Sequence, residues 1–275
     1  MTPPSRNSEP PRVLVTGHTG KIGAPAAGAL EAAGFTVVGF DAADGDDVRD
    51  TAALDERLRG CRYVTHLAAI PNDEDGAAHE IIDTNVFGTW AVLHAAGRAG
   101  VERVVSFSSI QATGLYEDDA PPPDYLPLDE GHRSYARSAY SVSKLLGEDM
   151  CRGFTNATRI ASVCIRPPFV VAPEEIHDLR RDFAGQDAPD WRQRAWCDVR
   201  DVAAAVVAAL QAPLDGHDVV FVSADDVAGD TPSAELAQAA GAPWRGATDT
   251  FAALVDAGRA RQRLGWHPRH VWPRD

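Results

Sequence analysis

The apolar run Val13-Leu14-Val15 leads into Thr16-Gly17-His18-Thr19-Gly20-Lys21-Ile22-Gly23, and an alanine-rich stretch follows at once. That order constrains the fold more than any other feature of the chain. The apolar run reads as a strand, glycines at every third position let the backbone turn tightly, and alanine favours the helix beyond. A helix that starts at such a turn presents free N–H groups and the positive end of its dipole, a natural seat for a phosphate. The spacing predicts a helix over residues 20–33.

The rest of the chain repeats the alternation. Strand-like runs are expected at 13–16, 36–40, 63–69, 101–108 and 162–166, with helical runs at 51–59, 80–99 and 140–153 between them. A further helix is expected at 199–210 and a strand at 219–223. Strands alternating with helices give a parallel sheet with crossovers on both faces. The expected fold class is therefore α/β, a Rossmann-like doubly wound sheet of six strands with a small C-terminal lobe. Residues 12–167 form the core in this reading, and residues 168–275 form a lobe interleaved with it. Residues 173–190 read as polar and irregular, and residues 233–240 and 251–264 as short helices. The first eleven residues, rich in proline and serine and without an apolar core, are expected to be a flexible tail.

Composition removes several function classes. A net charge of −14 repels nucleic-acid backbones and anionic membrane surfaces, so neither is an expected partner. No run approaches the roughly 18 apolar residues of a spanning helix. Cys61, Cys151, Cys164 and Cys197 are too scattered for a metal site and read as reduced thiols of a cytoplasmic protein, Cys164 as core filler.

Chemistry concentrates at three places. Tyr140 and Lys144 stand four residues apart, on one face of a helix, where an ammonium can make the phenol a stronger acid. Ser109 ends a strand, so its hydroxyl can hold a substrate oxygen while Tyr140 moves that oxygen's proton. Asp41 ends the second strand, where a carboxylate can accept both hydroxyls of a ribose and repel an added 2′-phosphate. His66 reads as a sheet histidine satisfied by its neighbours.

Gly17-x-x-Gly20-x-x-Gly23, Asp41, Asp47-Val48, His66-Leu67-Ala68-Ala69, Asn85 with Gly88-Thr89, Ser108-Ser109 and Tyr140-x-x-x-Lys144 occur in the order found in the extended short-chain dehydrogenase/reductases. The chain resembles this NAD-dependent epimerase/dehydratase group from about residue 12 to residue 268. The resemblance implies NAD as cofactor and a homodimer formed through the helices of Asn85 and Tyr140. It also implies a site in which Ser109, Tyr140 and Lys144 are catalytic and Asn85 supports them. NAD would contact Gly17, Thr19, Gly20, Lys21, Ile22, Gly23 and Asp41. Asp47 and Val48 would flank the adenine, and Leu67, Ala68, Ala69, Tyr140 and Lys144 would complete the cofactor site.

With only about 100 residues after Arg166, a small substrate is expected. The stretch from Phe107 to Tyr116 resembles that of uronate dehydrogenases, which carry Asn-His where this chain carries Ile110-Gln111. Ser109 and Gln111 are then the expected substrate contacts. Arg194 matches a family position that often grips an anionic group and is expected to bind one, ahead of Arg166 and Arg192. The implied activity is hydride transfer between nicotinamide and a small sugar, sugar acid or other secondary alcohol. The alternatives are a nucleotide-sugar epimerase or dehydratase that retains NAD, and a non-catalytic NAD sensor.

Overall fold

A computed structural model describes residues 9–74, 77–184, 186 and 189–274, so most of the expected tail lies outside the described residues. The strands are β1 (Arg12–Thr16), β2 (Thr36–Phe40), β3 (Cys61–His66), β4 (Arg103–Phe107), β5 (Ala161–Arg166), β6 (Phe169–Val171), β7 (Trp196–Asp198) and β8 (His217–Phe221). The helices are α1 (Gly23–Ala32), α2 (Thr51–Arg57), α3 (Ala78–Ile81), α4 (Gly88–Ala99), α5 (Ala139–Thr158), α6 (Ile176–Ala184), α7 (Trp191–Arg194), α8 (Val199–Gln211), α9 (Ser233–Ala239) and α10 (Gly258–Leu264). Six strands form one sheet in the order β2-β1-β3-β4-β5-β8, with every pair parallel. This is the expected doubly wound, Rossmann-like α/β sheet. Its sixth strand, β8, comes from the C-terminal segment.

Side-chain alternation explains why these runs become buried strands. Val13 and Val15 point to one face, where they pack with Val105, Val163, Leu30 of α1 and Val202 and Val206 of α8. Leu14 points to the other, among Val64, Val104, Leu54 of α2 and Val92 of α4. Both faces of a parallel sheet are covered, so its strands read as continuous apolar runs. Cys164 joins the second cluster as core filler, and all four cysteines are free and buried.

Several boundaries differ from expectation, each for a local reason. The first helix starts at Gly23 rather than residue 20, because Gly17, at φ +71°, and Gly20 form the turn, the Gly20 N–H reaching the Gly17 carbonyl at 3.2 Å. A Cβ on Gly23 would lie 1.9 Å from that carbonyl oxygen, so the third glycine allows helix and strand to pack closely. β3 stops at His66 and leaves Leu67, Ala68 and Ala69 in the loop beyond. The helix expected over 80–99 is interrupted by a π-helical turn, Ile82–Phe87, that carries Asn85. In the C-terminal part, β6 and β7 pair as a small parallel sheet, and α6 lies within the stretch expected to be irregular. Residues 251–257 are not helical, since Ala252 and Val255 make isolated bridges to Asp226 and Leu128.

Candidate active site

The chain runs from β1 outward to β2, then crosses to β3 on the other side of β1, which makes the β1/β3 boundary the switch point where open α/β sheets hold ligands. A cleft of about 1130 Å³ opens there. Its walls come from the carboxyl ends of successive strands: the glycine turn after β1, Leu67 and Ala69 after β3, Ser108 and Ser109 after β4, and Pro167 and Pro168 after β5. Tyr140 and Lys144 of α5 face the same space, as do Ile110, Gln111 and α6.

The turn fits a dinucleotide. Gly17, Gly20, Lys21, Ile22 and Gly23 all line the cleft. A Cβ built on Gly20 would meet only the Gly17 oxygen, at 3.4 Å, so the backbone there is open to close approach by a phosphate. Asp41 follows β2 and accepts the Thr19 N–H at 2.9 Å and the Ala43 N–H at 3.0 Å. Burial pushes its carboxyl up, but these N–H groups more than offset that and hold it below the ordinary carboxylate range. Thr19 thus serves Asp41 through its backbone and is not itself part of the cleft wall.

Ser109 caps the short turn Ile110–Thr113, its Oγ accepting the Gln111 N–H at 3.1 Å. Tyr140 sits in the first turn of α5, which is capped by Ser138. Its N–H also donates to the Asp73 carboxylate at 2.9 Å, a tie from the loop after β3. Burial pushes the Tyr140 phenol up to about 12; a hydrogen bond with Ser109 works against this, and the Asp73 charge adds to it. The Lys144 ammonium is buried, lies 5.4 Å from the Tyr140 ring centre and donates to the Phe107 carbonyl at 3.0 Å. Burial lowers it to about 8. Desolvation is the largest influence on the Tyr140 phenol here.

Asn85 braces this wall from behind. Its Oδ1 accepts the Ile70 N–H at 2.8 Å, while Nδ2 donates to the Ile70 carbonyl at 3.0 Å and to Ser143 Oγ at 3.1 Å. The loop after β3 and α5 are thereby locked together. His66 extends the brace to β1. Thr89 Oγ1 donates to the Asn85 carbonyl, so it accepts from His66 Nε2 at 3.0 Å, which leaves Nδ1 to accept from Thr16 Oγ1 at 2.7 Å. The ring is satisfied on both sides and neutral, as expected of a sheet histidine. Burial, with a smaller contribution from the Lys144 charge, lowers it to about 3.

A stability prediction follows from that depression. The unfolded chain takes up the His66 proton below its ordinary value near 6.5, whereas the folded chain resists until about 3. The stabilisation is thus complete above pH 6.5 and is lost as pH falls towards 3, on the order of 5 kcal/mol for a shift of this size. Denaturant titrations at pH 7 and pH 4 should show a steeper loss for wild type than for His66→Asn. Parallel losses in the two proteins would exclude His66 as the cause.

Ser108 takes a structural position. Its Oγ donates to Glu148 at 2.5 Å, and Glu148 accepts Arg166 Nε and Nη2 at 2.6 Å each, all three side chains being buried behind Lys144. Arg166 is therefore occupied inside the protein.

Arg194 is also turned away. It is 2% exposed and absent from the cleft lining, with its guanidinium 3.6 Å above the Phe183 ring and Nη2 on Gln186 Oε1 at 2.9 Å. Arg192 lines the cleft in its place. Asp47 and Val48 also stand apart from the cleft. Asp47 pairs with Arg49, and Val48 packs in the core against Gly88, whose Cβ would meet it at 2.6 Å. Sequence reasoning did not reach Asp73, Tyr116, Asp190 or Phe169. Of these only Asp190 carried a signal, the Asp-x-Arg spacing that also pairs Asp47 with Arg49 and Asp198 with Arg200.

The model of the NAD dependent epimerase/dehydratase family matches residues 13–223, more than half of the chain. Sterol demethylase protein B of Methylococcus capsulatus is 37% identical over 116 residues, which cover 37% of this chain and 35% of that protein. The L-arabinose 1-dehydrogenase (NAD(P)(+)) of Haloferax volcanii is 30% identical over 180 residues, covering 61% of this chain and 70% of that one. The chain thus spans about a third of the first relative's length and more than two thirds of the second's. A short-chain dehydrogenase/reductase superfamily protein from Agrobacterium tumefaciens, solved with bound NAD, superposes with a TM-score of 0.72 at 24% identity, covering 95% of this chain and 93% of that one. With the glycine turn, Asp41 and the switch-point cleft in place, the chain belongs to the NAD dependent epimerase/dehydratase family and is an oxidoreductase with NAD as its cofactor.

Proposed function

We propose that the protein is a dehydrogenase that moves hydride between a small sugar, sugar acid or other secondary alcohol and NAD, with Ser109, Tyr140 and Lys144 as its catalytic residues. The observation that carries this reading is that these three side chains line one cleft together with the glycine turn. NAD, when bound, supplies the hydride acceptor. Gly17, Gly20, Gly23, Lys21 and Ile22 would hold its pyrophosphate, Asp41 its adenosine ribose, and Leu67 and Ala69 its inner face. Asp47, Val48, Thr19 and Ala68 do not line the cleft, and neither does Asp41, which is assigned its role by its place directly after β2.

Ser109 Oγ holds the substrate oxygen, and Tyr140 Oη exchanges a proton with it. A phenol near 12 is a donor at neutral pH, suited to protonating the oxygen of a carbonyl undergoing reduction. For oxidation it must first give up its proton, and the ammonium of Lys144 is the charge available to stabilise the resulting phenolate. Asn85 is a positioning residue: its side-chain bonds to Ile70 and Ser143 fix the loop and the helix that aim Tyr140. Gln111, on the turn capped by Ser109, would contact substrate.

NAD should be preferred over NADP. An added 2′-phosphate would approach Asp41, and the nearby guanidinium groups are occupied, Arg57 by Gly39 O and Asp46, and Arg49 by Asp47. Catalytic efficiency should be at least tenfold higher with NAD, and Asp41→Ala should narrow the ratio. Equal use of both cofactors by wild type would remove Asp41 from this role.

Retained NAD separates this reading from a nucleotide-sugar epimerase. A dehydrogenase must release NADH at every turnover, so protein purified by gel filtration should carry substoichiometric nucleotide that exchanges within seconds. Stoichiometric NAD released only on unfolding would favour the epimerase. Exposed Phe87, at the end of the π-helical turn, Trp90 on α4 and Leu146 on α5 support a homodimer through these helices. Four free buried thiols suit a cytoplasmic setting. No helix among the described residues is long and apolar enough to cross a membrane.

A further inference from the structure

We infer that the substrate half of the cleft selects an uncharged polyhydroxy compound, such as a free neutral aldose, against sugar acids and nucleotide sugars. This rests on the dehydrogenase reading and narrows it.

The cations of the described lining are Lys21, Lys144 and Arg192, and each is committed. Lys21 sits on the glycine turn assigned to the NAD pyrophosphate and pairs there with Glu175 at 2.7 Å. Lys144 lies beneath Tyr140 and donates to Phe107. Arg192 is held by Asp190, the residue that caps its own helical turn: Nε lies 2.7 Å and Nη2 2.6 Å from Oδ2, while Nη1 donates to the Glu117 carbonyl at 3.3 Å. A carboxylate or phosphate entering the cleft would have to displace Asp190 from a two-point contact that is already made, with no gain in charge pairing. Arg194, the other candidate anion ligand, is sealed under Phe183 and Gln186.

What the cleft does offer is hydrogen-bonding capacity of the opposite kind. Asp118, Asp182 and Asp190 line it together with Gln111 and Gln193, so carboxylates outnumber the one guanidinium in this half. Carboxylates accept hydrogen bonds from hydroxyls and repel anions. Tyr116 adds an independent observation. Its ring lines the cleft and stacks edge-on against Trp191 at 5.5 Å, yet its hydroxyl is buried with no hydrogen-bond partner. Burial, reinforced by the Asp190 charge, raises its pKa, so the group stays a neutral donor and acceptor. A buried hydroxyl left unpaired is costly. Tyr116 thus presents to the cleft no charge with which an anionic group could pair.

The test uses binding, so that it does not depend on turnover. Saturation-transfer NMR on the NAD-loaded Tyr140→Phe protein would be recorded with L-arabinose, D-galactose, D-galacturonate and UDP-galactose at equal concentration. Signal on a neutral sugar with at least tenfold weaker signal on both anions supports the inference. Equal or stronger binding of either anion overturns it, and so does absence of binding by both neutral sugars. Asp190→Asn keeps a capping side chain but frees Arg192. It should shift the affinity ratio of D-galacturonate to D-galactose at least tenfold towards the acid, and an unchanged ratio would also count against the inference. Failure of the dehydrogenase reading looks different, since wild-type protein would then bind a sugar and form no NADH.

Discussion

Tyr140→Phe should lower turnover by roughly 10²- to 10⁴-fold, the usual contribution of a positioned proton donor, and leave NAD affinity within about twofold. The substitution removes one hydroxyl and keeps the ring, which is packed in the cleft wall above Lys144. Its backbone tie to Asp73 is unaffected, so α5 keeps its start. Steady-state rates and a fluorescence titration with NADH measure the two effects separately. A variant that keeps more than a tenth of wild-type activity would show that another group carries the proton.

The second large effect is on stability. Glu148→Gln should cost about 3–5 kcal/mol, because it leaves the Arg166 guanidinium buried without its counter-charge. The pair is doubly hydrogen-bonded at 2.6 Å and receives the Ser108 hydroxyl as well, and all three side chains are buried. Calorimetry should show a fall in Tm of roughly 10 °C. Combining Glu148→Leu with Arg166→Met should recover part of the loss, since the charge and its partner then leave together. A drop of only a degree or two for Glu148→Gln would mean that the pair adds little.

The sheet was legible because its strands are buried on both faces. Runs such as Val13–Val15 are apolar without alternation, and glycine and proline mark their ends. The candidate site was legible where the chain itself sets the geometry: three glycines in one turn, or a phenol and an ammonium one helical turn apart. What could not be read depends on distant neighbours. α6 has no buried residue, so its sequence looks like a loop. Asp73 reaches the Tyr140 N–H across 67 positions. The environment of Tyr140 followed the same rule. Spacing places Lys144 beneath it, but the burial that raises the phenol comes from the whole fold. Arg194 satisfies a family spacing, yet its direction is decided by the Phe183 ring and by Gly229, whose missing Cβ leaves room for the guanidinium.

Absorbance at the NADH band tests the central claim most directly. Wild-type protein would be offered NAD with a panel of neutral sugars, sugar acids, nucleotide sugars and simple secondary alcohols. The account predicts net formation of NADH with at least one small secondary alcohol or sugar, and loss of that signal in Tyr140→Phe protein that still binds NAD. No net NADH from any compound, together with isomerisation of a nucleotide sugar by protein that holds its NAD throughout, would contradict it.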